Sequence, residues 1–175
     1  MKLKLKIFNK YFLITVVVII ISLTFMLTIL SFFVSNFLAK EKYATLKESC
    51  TSISEFTATK QLSEGGFKTI MSYVTPIVSK SIDAELLITD TDGTPIFCSC
   101  DIYERDGNCV HSNKTVSDRI VDKVLNHKEY YEVGNFDGAL NDMYYIYGTK
   151  LTDKSGSNYA AVYAFSQSSY IREFF

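Results

Sequence analysis

The sequence predicts an α+β domain carried on one membrane-spanning helix. Three observations predict it. A long uncharged run lies near the N-terminus, apolar residues then recur at helical spacing, and the remainder alternates strand-like segments with Asp-Gly and Gly-Asn turns.

The uncharged run comes first. Between Lys10 and Lys40 no side chain is charged, and residues 11–34, YFLITVVVIIISLTFMLTILSFFV, are interrupted only by Thr and Ser. As a helix they reach about 36 Å, enough to cross a hydrocarbon core of about 30 Å with some tilt. A cleaved secretory signal would have a shorter apolar run and a small-x-small end, and Phe37 stands where Phe37-Leu38-Ala39 would need a small residue. Lys2, Lys4, Lys6 and Lys10 crowd the N-terminal flank, so the positive-inside bias puts residues 1–10 in the cytoplasm. The expected division is a Lys-rich tail over 1–10, an anchor over 11–37, an extracytoplasmic domain over 38–166 and a closing segment over 167–175.

Composition narrows what the outer part does. The first 40 residues hold five lysines and no acid, which leaves 13 basic against 19 acidic side chains in the rest of the 175-residue chain. An acidic body argues against nucleic acid and anionic lipid as partners, since both need clustered Lys and Arg. With 12 Tyr and 13 Phe there is ample surface to bury, which argues against disorder.

Beyond the anchor, Tyr43, Leu46, Cys50, Ile53 and Phe56 recur at 3-4-3 spacing and predict a helix running to about Leu62, stopped by Gly65-Gly66. Two surfaces suit that stripe. It packs on the domain's own sheet, or Tyr43, Leu46, Cys50 and Ile53 form the seam of a parallel homodimer. A second helix is expected over 67–79, kinked or restarted at Pro76. Strands over 84–90 and 95–100 flank Thr91-Asp92-Gly93-Thr94, a strong hairpin signal. A one-faced helix follows over 116–125, then strands over 130–133, 143–151 and 159–166. The sum is a five-stranded antiparallel sheet with helices, its second face covered by the 101–129 connection and a small cavity between the two.

Four cysteines carry the most chemistry. Outside the cell Cys50, Cys98, Cys100 and Cys109 suggest disulfides. On one strand Cys98 and Cys100 would stand about 6.6 Å apart with parallel side chains, so Cys109 is the better partner for either. A tetrahedral metal site from Cys98, Cys100, Cys109 and His111 is the alternative, although its spacing is not a standard finger. His127 reads as a C-capping surface residue, and Asp90 and Asp92 as turn formers rather than calcium ligands. A ligand in the expected cavity would meet Arg105, His111, Tyr145, Tyr147 and Lys150. No catalytic set, phosphate loop or H-E-x-x-H occurs, so no enzyme activity and no cofactor is expected of the chain itself.

The run Leu87-Ile88-Thr89-Asp90-Thr91-Asp92-Gly93, the step Cys109-Val110-His111, and the closing pair Tyr144 to Leu151 and Ala160 to Ser166, behind a Lys-rich start and anchor, resemble the sensory front end of bacterial membrane-bound sensor histidine kinases. The resemblance implies a PAS-like domain, a dimeric receptor for a small molecule or ion, and a kinase that would reach a response regulator. Chemoreceptors and nucleotide cyclases with the same sensor, and an anchored structural or binding protein, are the competing readings. Tyr170, Ile171, Phe174 and Phe175 stand at helical spacing, so 167–175 is expected to open a helix toward a second transmembrane segment.

Overall fold

The computed structural model describes residues 2–59, 64–102, 114–127, 129–153 and 155–168. Its elements are α1 (Lys2–Thr59), α2 (Glu64–Ile82), β1 (Glu85–Thr89), β2 (Pro95–Cys98), a 3-10 turn (Ser99–Ile102), α3 (Asp118–Asn126), β3 (Tyr130–Gly134), β4 (Tyr144–Thr152) and β5 (Asn158–Gln167). The chain forms two compact units, one ending at Leu38 and the other beginning at Ala39.

The first unit is the N-terminal part of α1. Its side chains from Lys10 to Leu30 are all exposed, and this is the one helix among the described residues long and apolar enough to cross a membrane, by length and composition. The hydroxyls of Thr15, Thr24 and Thr28 donate to the carbonyls of Tyr11, Ile20 and Thr24, so these three are satisfied inside the helix itself. Self-satisfied threonines are what an apolar surround demands, because no water is there to bond them.

The second unit is an α+β domain around an antiparallel sheet of order β2-β1-β5-β4-β3. The last strand is central, paired on one side with β1 and on the other with β4. Two of the hairpin turns, β1–β2 and β4–β5, follow from local chemistry. Asp90 Oδ1 accepts from the amides of Asp92 and Thr94, and Asp153 Oδ1 from those of Ser155 and Ser157, while Gly93 and Gly156 take the positive φ that each turn needs. Gly93 is also tight: a Cβ there would come within 2.6 Å of the Val116 carbonyl oxygen. The Asp-Gly hairpin is therefore as the sequence predicts.

Helices cover both faces. On one, Leu46, Cys50 and Ile53 of α1 and Phe67 and Met71 of α2 pack on Leu86, Ile88, Tyr145, Tyr147, Leu151, Ala160, Val162 and Ala164. The other is covered by α3, whose Ile120, Val121 and Val124 pack over Leu87, Ile146, Ala161, Tyr163 and Phe165. Each such side chain contributes about 1.5–3 kcal/mol when fully buried, which fixes the register of a nine-residue helix too short to persist alone.

Three expectations need correction. The stripe Leu46, Cys50 and Ile53 is buried within its own domain and offers no seam to a second chain. Tyr43 is half-buried, with its ring against Tyr131 and Tyr147. The helix α2 begins earlier than expected, with Gly65 and Gly66 in its first turn, and passes through Pro76 to Ile82 without a break. Burial of Phe67 and Met71 on its sheet side offsets the hydrogen bond that Pro76 cannot make.

Candidate functional site

The α3 side of the sheet carries the aromatic cluster. Tyr163 lies in the middle of β5 with its ring over Gly148 of β4; a Cβ at Gly148 would stand 2.8 Å from Tyr163 Cδ1 and 3.1 Å from Val124 Cγ2. Phe136, from the β3–β4 loop, meets the Tyr163 ring edge-on at 5.2 Å and lies 6.3 Å from Phe165, which Tyr144 meets edge-on at 5.9 Å. The Tyr163 hydroxyl is buried and makes no hydrogen bond of ordinary geometry to the described residues. Burial pushes its pKa up, and the Thr89 side chain opposes that shift. A buried hydroxyl that no described residue bonds is costly until another group of the chain or a ligand bonds it.

A strap holds Phe136 there. Phe136 and Asp137 both have positive φ, 55° and 53°, which side-chain-bearing residues rarely adopt. Arg119 Nε donates to Asp137 Oδ2 at 3.0 Å, Arg119 Nη2 pairs with Asp137 Oδ1, and the Ser117 hydroxyl donates to Asp137 Oδ2. Arg119 Nη2 also reaches Glu132 Oε2 at 3.4 Å, an oxygen that the Tyr130 hydroxyl bonds too. The guanidinium and the Ser117 hydroxyl hold the Asp137 carboxyl below its ordinary range. Lys114 Nζ donates to the Ala139 carbonyl at 2.7 Å, tying the same loop from the other side. The sequence reading passed over this network. Its only signal was a basic residue on the outer face of a one-faced helix and an acid in a Gly-Asn turn.

A void of about 10 Å³ lies against this face, lined by Leu87, Lys114, Phe136, Ala139, Leu140 and Phe165. That is room for one water at most, so the described residues do not enclose the ligand cavity expected there. Of the five residues expected to converge on it, Arg105 and His111 lie outside the described residues. Tyr145 and Tyr147 belong to the opposite face, in the core under α1 and α2. Lys150 has the other strand parity, so the three described residues do not converge. A strand alternates its side chains, and 145 and 147 cannot share a face with 150.

The cysteines also fall differently. Cys50 is a fully buried thiol under the sheet, its Sγ 3.9 Å from the Tyr147 carbonyl, and burial pushes its pKa far up. It is not a disulfide partner. Cys98 is likewise a buried thiol. The strand ends there and the 3-10 turn folds Cys100 back, so the sulfurs of Cys98 and Cys100 stand 2.9 Å apart rather than at the spacing of a continuing strand. Cys109 and His111 of the alternative metal array lie outside the described residues, and among the described residues no group of three metal-binding side chains occurs. His127 caps α3, its amide donating to the Lys123 carbonyl.

On the helix side, α1 is tied to the sheet edge. Lys47 Nζ pairs with Glu129 Oε1 at 2.5 Å, and the Tyr43 hydroxyl donates to Glu129 Oε2 at 3.2 Å. The Tyr43 ring meets Tyr131 at 4.5 Å and Tyr147 at 5.7 Å. Any shift of α1 against β3 must break this arrangement.

No protein-family model matches the chain, and no curated protein sequence matches it. Solved structures do. The E. coli DcuS sensor domain aligns over 77% of this chain and 95% of its own length, with a TM-score of 0.54 and 13% identity. The fold is that of the DcuS sensor domain. An extracellular ligand-binding receptor from Desulfohalobium retbaense aligns over 79% of this chain with a TM-score of 0.55 and 14% identity, where the match spans a quarter of that longer protein. In this chain it is α3 that lies over the second face of that sheet.

Proposed function

We propose that this chain is the extracytoplasmic, ligand-sensing input part of a membrane-bound sensor histidine kinase of a two-component system. The observation that carries the reading is the match of the PAS-like domain to nearly the whole of the DcuS sensor domain, in a chain whose first helix is apolar and exposed from Tyr11 to Leu30. The first helix is the anchor, with its N-terminus in the cytoplasm. The domain from about residue 41 faces outward, and the chain works as a homodimer.

The ligand is a small molecule or ion held on the α3 side of the sheet. Tyr163 and Phe136 support that choice, one by a buried hydroxyl with no partner of ordinary geometry among the described residues and the other by its strapped position at positive φ. Arg105 and His111, in the segment between the 3-10 turn and α3, would supply the charged contacts. Since Cys50 and Cys98 carry buried thiols, the remaining pair, Cys100 and Cys109, is the one to form a disulfide. Closing a loop of about ten residues, that bridge would hold this segment against the sheet and contribute about 2–3 kcal/mol.

The test is a thermal-shift screen of the full chain in lipid nanodiscs against amino acids, organic anions and divalent cations. A ligand at 100 times its dissociation constant stabilises by about 2.7 kcal/mol, a shift of several degrees in Tm. The shift should be lost in Arg105→Ala or His111→Ala. A panel without any shift, or a shift unchanged in both variants, would overturn the site.

A further inference from the structure

Three of the four cysteines lie among the described residues, and they are not equivalent. Cys50 and Cys98 carry thiols, whereas Cys100 does not. Cys50 belongs to the core under α1 and α2, while Cys98 and Cys100 belong to the cluster under α3, on the other face of the sheet. The Cys98 thiol therefore meets the Cys100 sulfur, at 2.9 Å, and the Cys50 thiol does not.

The backbone is pinned in that arrangement. Cys98 stands opposite Leu87 in the β1–β2 ladder, and the buried Ser99 hydroxyl accepts from the Leu86 amide at 2.9 Å. Ser99 opens the 3-10 turn, and a helical residue between two others brings their Cα atoms to about 5–5.5 Å, inside the window of about 4.4–6.8 Å in which a disulfide closes. The strain that a continuing strand would impose is gone. Exposure then separates the two sulfurs: Cys98 is fully buried, so no thiol or disulfide from outside reaches it, whereas Cys100 is half-buried. A bridge at Cys98 has to be handed on by Cys100.

We propose that Cys98 and Cys100 form a thiol–disulfide exchange site, at which the Cys98 sulfur takes over the Cys100 end of the Cys100–Cys109 bridge. This exchange rests on that bridge, which belongs to the sensor reading above. The Cys98 sulfur bonds to Cys100 Sγ, the bond from Cys100 to Cys109 breaks, and its electron pair leaves on the Cys109 sulfur. One proton passes, by way of water, from the Cys98 sulfur to the Cys109 sulfur. A disulfide and a thiol stand on each side of the step, so no oxidant or reductant is consumed. Because the thiolate is the nucleophile and Cys98 is out of water, the step takes minutes to hours. Its product opens the covalent loop from 100 to 109, so the exchange sets the covalent state of the stretch that carries Arg105.

Trypsin separates the two isomers. Cleavage after Lys80, Arg105 and Lys114 leaves Cys98 and Cys100 on one peptide and Cys109 on the next. The full chain in lipid nanodiscs is held at mildly alkaline pH, quenched and alkylated with a maleimide in acidic denaturant, where thiols scarcely exchange, and mapped without reduction. Before exchange the peptides are crosslinked and Cys98 carries the label; after it, peptide 81–105 holds an internal disulfide and Cys109 carries the label. Label on Cys109 should exceed that in Cys98→Ser, treated alongside, at least tenfold. In Cys109→Ser, oxidised glutathione should close Cys98 to Cys100 within the one peptide. Crosslinked peptides whose label stays on Cys98, or a Cys109→Ser chain that keeps both thiols, would overturn the exchange and leave the bridge untouched. Label on Cys98, Cys100 and Cys109 together in the wild-type chain would overturn the bridge, and the exchange with it.

Discussion

Arg119 grips both carboxylate oxygens of Asp137, joining the first turn of α3 to a loop residue at φ 53°. The pair is partly exposed, yet it clamps the loop that presses Phe136 into the core. The loop over the α3 face of the sheet is thus tied to α3 by one ion pair at a residue of positive φ.

The clamp has a pH signature. The Asp137 carboxyl has a lowered pKa in the folded chain, so its contribution to stability is present above the ordinary carboxylate range and is lost as pH falls through its folded value. Wild type should therefore lose stability below about pH 4 in a step that Asp137→Asn lacks. At neutral pH the variant should melt about 1–3 °C lower, the size expected of an exposed pair. Thermal melts of both proteins from pH 3 to 7 check this.

Gly148 is required by the ring above it. Gly148→Ala drives a methyl group into Tyr163 and Val124 and should cost about 1–3 kcal/mol in denaturant unfolding. Tyr163→Leu in the same chain should recover part of that loss, whereas Tyr163→Phe, which keeps the ring, should recover no more than it gains in the otherwise unaltered chain.

Tyr163→Phe alone separates fold from ligand. Removing a buried hydroxyl that lacks a partner among the described residues should leave the unliganded domain equally stable or more stable by about 1 kcal/mol. If the hydroxyl meets the ligand, the same variant weakens binding. A clear loss of unliganded stability would show that the hydroxyl is already satisfied.

Cys50 should behave as a sealed thiol. Burial raises its pKa, so it should resist alkylation in the folded chain and react fully once unfolded, as peptide mapping would show. Because the folded value lies above the unfolded one, the stability this thiol contributes is complete below about pH 8.5 and declines only as pH rises further.

Much of the fold was legible because its signals are local. Asp90 to Gly93 announces its turn through side-chain acceptors and a glycine, and the α3 stripe is unmistakable at 3.6-residue spacing. What failed was assignment between surfaces. The stripe at Leu46, Cys50 and Ile53 reads equally well as core or seam, since apolar spacing specifies a face but not its partner. Tyr145 and Tyr147 were grouped with Lys150 although strand parity alone separates them. The turn after Cys98 had no such signal, because Ser99-Cys100 looks like more strand. The Arg119 clamp depends on a long-range meeting of α3 with the β3–β4 loop, which no local pattern encodes.

The position of β5 has a consequence for how the domain is made. Until Asn158–Gln167 emerges, β1 with β2 and β3 with β4 are two hairpins with no strand between them, and neither helix layer has a continuous surface to lie on. Biogenesis is therefore all-or-none with respect to its last ten-residue strand, and nascent chains stalled before residue 158 should be digested by protease in pulse-labelled membranes, while those extended past residue 168 resist.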